Sequence, residues 1–153
     1  MATAAPSPEF AEALQQVSEY AATRNSTGLI VMHRDAIVLE QYWQGYDKTS
    51  RFNAMSMSKS LVGLLIGQAI AAGSIPSLDE VAANYLPEWR RDERNQITLK
   101  DLIYMQSGLR NEDSTSSPLS DLVQLYVGST VEKTALKVPS VKPPGQVFEY
   151  NNV

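Results

Sequence analysis

The chain has 153 residues, 43% of them hydrophobic, which is enough to bury a core, and its composition does not suggest disorder, collagen or a coiled coil. A formal charge of −4 and a pI near 5.0, with no run of Lys or Arg, remove the electrostatic footprint that a nucleic-acid or anionic-membrane partner needs. No cysteine and a single histidine rule out a disulfide framework, a thiol nucleophile and a Cys-type zinc site, and leave a Ser-His-Asp triad hard to assemble, so neither a metal nor a cofactor is expected.

The first twenty residues lack a basic segment followed by an apolar run, so no secretory signal is expected and the chain as it stands reads as cytoplasmic by default. Ser7-Pro8-Glu9 starts a helix that Phe10, Leu14, Val17 and Tyr20 continue at helical spacing to about Arg24. Gly28 to His33 and Ala36 to Tyr42 are β-rich runs flanking Arg34-Asp35, which predicts a hairpin, although Ala36 stands where a primed turn would favour Gly. Met57 to Ala72 reads as a helix stopped by Gly73; its apolar run, Leu61 to Ala72, is interrupted by Gln68 and far short of the roughly 20 residues a bilayer span needs, so it reads as buried. Ser77-Leu78-Asp79-Glu80 reads as a capping box opening a short helix that ends before Pro87. Thr98 to Asp101 caps another, carrying Leu102, Ile103 and Met105, with Gly108 closing it. Ser117-Pro118 and Ser129-Thr130 begin two more, and the polar stretches 90–96 and 111–117 read as mobile loops.

The chemistry-bearing stretch is Met55-Ser56-Met57-Ser58-Lys59-Ser60. Positions i and i+3 face the same way on a helix, so the Lys59 amine can reach the Ser56 hydroxyl, a nucleophile beside its base. A Ser-x-x-Lys match arises by chance roughly once in every one or two chains of this length, and Ser56 could simply cap the helix. Against the cap stands Lys59 itself: a cap favours Glu or Gln three residues on, whereas a cation opposes the positive end of the helix dipole. Farther along, Tyr150-Asn151-Asn152 follows the Pro144-Gly145 turn and offers a phenol with an amide two residues on; taken alone it reads first as an aromatic anchor.

Together the two motifs resemble those of the serine β-lactamase and penicillin-binding protein superfamily, in the branch holding class C β-lactamases, DD-peptidases, carboxylesterases and 6-aminohexanoate-dimer hydrolases. Gly73 to Glu80, Tyr85-Leu86-Pro87, Ile97 to Ile103, Ser107-Gly108-Leu109 and Pro144-Gly145 extend the resemblance over most of the chain, and Gln41 to Tyr46 is most similar to the 6-aminohexanoate-dimer hydrolase-like members. The resemblance implies Ser56 as the acylated nucleophile, Lys59 as the base that activates it, Tyr150 as the proton relay to the leaving group and Asn152 as a substrate-orienting residue. The substrate would be a small amide or ester. A catalytically silent, penicillin-recognising or protein-binding relative is the alternative.

The implied fold is α+β: the α/β domain's N-terminal helix and hairpin over residues 1–55, then the nucleophile helix and the start of a helical domain over 56–153. The family's Lys/His-Thr/Ser-Gly motif and its C-terminal strands do not occur here, and Met105-Gln106 replace a frequent His-Thr. The chain is therefore expected to be an incomplete β-lactamase/transpeptidase-like fold with poor activity alone, for which the missing C-terminal part is a candidate partner. Of the other conspicuous residues, His33 reads as a surface residue, Gly63 and Gly67 as points of close backbone approach, Trp43 and Tyr46 as core or cleft aromatics, and Asp79, Glu80 and Asp101 as first-turn acids.

Overall fold

Two-residue hairpins follow the twist of their strands when both turn residues adopt positive φ. Arg34 and Asp35 do so, at 49° and 61°, in the computed structural model, which describes residues 7–111, 120–127 and 131–152. The chain divides into two units, Met1–Ala54 and Met55–Val153.

In the first unit, α1 (Pro8–Thr23) begins as its sequence predicts, with the Ser7 hydroxyl accepting from the Phe10 N–H at 3.3 Å. The strands β1 (Gly28–His33) and β2 (Ala36–Tyr42) pair antiparallel, with a bulge at Val38 where Val31 faces Leu39 and Met32 faces Ile37. The Ser18 hydroxyl bonds the Gln41 amide, and the Phe10 ring lies 5.4 Å from that of His33, so both contacts join α1 to the hairpin. Tyr46 stacks on Phe52 at 5.1 Å.

The second unit opens with a 3₁₀ turn, Met55–Met57, that runs into α2 (Ser58–Ala71). Gly73, at φ +73°, ends α2 in a Schellman motif: its N–H donates to Ile70 and that of Ser74 to Ala69. The predicted burial of α2 does not hold, because none of its residues is buried. Gly63 and Gly67 are not close-approach points either, since a Cβ at each would meet no described atom within 4 Å.

The core lies in Ala82, Ala83, Trp89, Ile97, Leu109 and Val138, with Leu86, Leu99, Leu102 and Leu136 packed against it. The expected capped helix at 77–86 is instead a turn and a bridge. The Ser77 hydroxyl accepts from the Asp79 N–H two residues on, and Val81 runs extended to pair with Thr98, leaving only a 3₁₀ turn at Ala82–Asn84. The stretch 90–96, expected to be mobile, is also ordered. It forms 3₁₀ turns at Pro87–Arg91 and Glu93–Gln96, where the Arg94 guanidinium grips the Asp92 carboxylate at 2.7 Å and donates to the carbonyls of Leu136 (2.6 Å) and Val138 (3.1 Å). That pairing holds the Asp92 carboxyl below the usual carboxylate range.

Helix α3 (Leu99–Ile103) carries the predicted capping box between Thr98 and Asp101 but ends earlier than Gly108. Met105, at φ +55°, takes the left-handed position, and the N–H groups of Met105 and Gln106 close the end on Leu102 and Asp101. Helices α4 (Asp121–Val127) and α5 (Val131–Ala135) follow; the starts read at Ser117-Pro118 and Ser129-Thr130, and most of the 111–117 loop, fall outside the described residues. Among the described residues no helix is long and apolar enough to cross a membrane.

Candidate active site

The residue before Ser56 is strained. Met55 has φ +46°, a region that costs a non-glycine residue about 1–2 kcal/mol, and the turn it opens is tied down by the Ser58 hydroxyl donating to the Met55 carbonyl at 2.7 Å. Ser56 thus sits in a sharp turn immediately ahead of α2, and Lys59 is the second residue of that helix. Met57 occupies the cap position without a side-chain bond, so capping is not what engages the Ser56 hydroxyl.

A second segment must come back to meet this turn, and Gly108 makes the return possible. At φ +70° its absent Cβ would lie 2.1 Å from the Lys142 carbonyl oxygen, a distance that any other residue would violate. The N–H groups of Val141 and Lys142 both donate to the Gly108 carbonyl, Arg110 donates to Pro139, Gly145 to Gln106 and Glu149 to Met105. Residues 139–149 therefore run along 105–110, bond after bond, until Tyr150 stands beside Ser56.

There the Tyr150 hydroxyl donates to Ser56 Oγ at 2.5 Å and Lys59 Nζ donates to the same oxygen at 3.3 Å. Lys59 Nζ also donates to Asn152 Oδ1 at 3.0 Å and lies 5.2 Å from the centre of the Tyr150 ring, within cation–π range. All four residues singled out in the sequence meet in one cluster. A hydroxyl oxygen that accepts from both an amine and a phenol has a proton acceptor and a proton donor within reach, which is what acyl transfer needs at its two ends. Beside the cluster, between α2 and α3, lies an open cavity of about 220 Å³ lined by Ser58, Val62, Gly63, Leu102, Ile103, Met105 and Lys59. Among the described residues no three His, Asp or Glu side chains gather as a metal site.

Two contributors escaped the sequence reading: Asn111, whose amide donates to the Tyr150 carbonyl, and Asn151, whose amide donates to the carbonyls of Leu109 and Arg110. Their signal was no more than polarity next to a motif, which does not reveal which carbonyl a side chain will find.

The family model described as "Beta-lactamase" matches residues 11–153. The chain belongs to the beta-lactamase family. Two solved structures share the fold of this beta-lactamase family member. The "Putative 6-aminohexanoate-dimer hydrolase from Bacillus anthracis" superposes with a TM-score of 0.75 at 23% identity over 89% of this chain and 39% of its own. The "putative beta-lactamase from Bacteroides dorei DSM 17855" gives 0.70 at 21% identity over 92% of this chain and 42% of its own. The chain thus spans about two-fifths of the length of either structure. None of the curated proteins matches. The fold is mixed, helices with a small two-stranded sheet, and is the corresponding part of a β-lactamase-like fold in a family of serine hydrolases.

Proposed function

We propose that this family member carries the acylation centre of a serine hydrolase acting on a small amide or ester through Ser56, Lys59 and Tyr150. The reading rests on the convergence of the Lys59 amine and the Tyr150 phenol on Ser56 Oγ, the latter from 94 positions away in the chain. The Lys59 amine takes the Ser56 proton as Oγ bonds to the substrate carbonyl carbon and the carbonyl π pair moves to oxygen. The Ser56 N–H, at the opening of the turn into α2, is one donor for that oxyanion, and a single such donor is worth roughly 3 kcal/mol. As the carbonyl re-forms, the bond to the amine or alcohol breaks, the leaving group receives its proton from Tyr150, and the phenol regains one from Lys59, which had taken it from Ser56. Water then attacks the acyl-enzyme and returns Ser56. Asn152, bonded to Lys59, orients that amine and the incoming substrate.

The Ser56 N–H is one oxyanion donor of the pair such a site uses, and α2 presents Leu61, Val62, Leu64 and Leu65 each more than half exposed. Burying each side chain yields roughly 2 kcal/mol. The partner for this surface is the remaining part of the same fold, the portion of the solved structures that this chain does not match; it also brings the second donor. Turnover by these 153 residues alone is therefore slow.

Mass spectrometry after mixing with a chromogenic ester tests the reading: an acyl adduct on Ser56, released slowly, is expected. A hydrolysis rate equal in wild type and Ser56→Ala points instead to a binding module, and full turnover without added polypeptide contradicts the need for a partner. Co-expression with the downstream part of a family member should raise soluble yield.

A further inference from the structure

We infer that Asn151, the middle residue of Tyr150-Asn151-Asn152, is a positioning residue that aims both of its neighbours at Ser56 and Lys59; the inference rests on the hydrolase reading above. The side chains alternate. Those of Tyr150 and Asn152 reach Ser56 Oγ and Lys59 Nζ, while that of Asn151 turns the opposite way and is only 6% exposed. Its Nδ2 donates to the carbonyls of Arg110 at 3.2 Å and Leu109 at 3.4 Å, and Leu109 belongs to the core. From the same strip, Asn111 Nδ2 donates to the Tyr150 carbonyl at 2.9 Å, and the Met105 carbonyl accepts from the Glu149 N–H at 2.8 Å.

The tripeptide is thus tied on its far side to a backbone that the core holds rigid, while its near side carries the two groups that touch Lys59 and Ser56. The tie needs a donor, because both of its targets are carbonyl oxygens. Aspartate, nearly the same shape, offers only acceptors in ionised form and would be repelled by them. Displacing a reacting group by about 1 Å can cost about 10²-fold in rate, so loosening this tie registers in chemistry before it registers in binding.

The experiment measures the maximal rate and the half-saturating concentration for modification of Ser56 by a fluorophosphonate, in the chain as it stands, alongside thermal unfolding. Asn151→Asp should lower the maximal rate about 10²-fold while the half-saturating concentration changes less than about threefold. Asn111→Ala, which removes the bond to the Tyr150 carbonyl at a partly exposed site, should give a smaller fall of the same kind and keeps the inference testable if Asn151→Asp does not fold. A variant that unfolds at lower temperature yet is modified at the wild-type maximal rate in its folded fraction overturns the positioning role. If wild type itself is not modified, the hydrolase reading fails and this inference fails with it; modification of wild type but not of Ser56→Ala, with undiminished rates in both asparagine variants, removes this inference alone.

Discussion

Helix α2 and the segment that follows it show opposite relations between composition and burial. The first is the most apolar stretch in the chain and buries no side chain; the second, from Leu78 to Leu109, is interrupted by Asp, Glu, Arg and Asn and supplies most of the core. Apolar content reports what a segment would bury given a partner, whereas polar residues with assigned carbonyls report what is already built. The candidate site draws on both, Ser56 and Lys59 at the head of α2, Tyr150 and Asn152 on a strand of chain moored to the core.

The largest effect expected at the head of α2 is chemical. Lys59→Met should slow acylation of Ser56 about 10³-fold, the range of a lost general base, without lowering the unfolding temperature, and single-turnover kinetics with a chromogenic ester would measure it. In the core the effect is structural. Ile97 is 0% exposed, and Ile97→Ala should cost about 3 kcal/mol in urea unfolding, whereas Leu64→Ala on α2, where the side chain is 69% exposed, should stay within about 0.5 kcal/mol. Equal losses at the two positions would mean that α2 is packed and would break the contrast.

A subtler test concerns the Arg94 hub. Arg94 bonds keep the Asp92 carboxyl below its ordinary range, so the folded state favours the ionised form. That contribution is complete above the ordinary carboxylate value, about pH 4, and fades as pH falls through the lower folded value. Asp92→Asn should therefore flatten the loss of stability on acidification below about pH 4, which denaturant titrations at a series of pH values would detect. One substitution should produce a gain: Gly63→Ala, with open space around the new methyl group, should stabilise α2 by about 1 kcal/mol.

Local geometry was legible in the residues themselves; of the long-range geometry, only the meeting of Tyr150 and Asn152 with Ser56 and Lys59 was expected, and that from the family resemblance. The spacing of Ser56 and Lys59 is a helical-turn relation, the capping of α1 by Ser7 and of α3 by Thr98 is encoded within four residues, and the hairpin is encoded in two alternating runs. The turn type was hidden because Arg34 and Asp35 adopt left-handed backbone without the glycine that advertises it. The helix read at 77–86 failed because Val81 and Ala82 gain more by pairing with Thr98 and Ile97, residues seventeen and fifteen positions away, than by extending a capped turn. Arg94 looked like loop polarity because its carbonyl partners at Leu136 and Val138 lie some forty residues on. Gly108 was read as a helix stop, although its role is to admit Lys142, and that contact delivers Tyr150 to Ser56.

The central claim is that Lys59 and Tyr150 make one particular hydroxyl reactive. Peptide mapping after treatment with a fluorophosphonate measures this directly, comparing wild type with Lys59→Met and Tyr150→Phe. The account predicts a single adduct on Ser56 that forms at least 10²-fold more slowly, to about the range of a lost acid–base group, in either variant. Modification spread over the many surface serines, or an adduct on Ser56 that forms equally fast without the amine and the phenol, would contradict it.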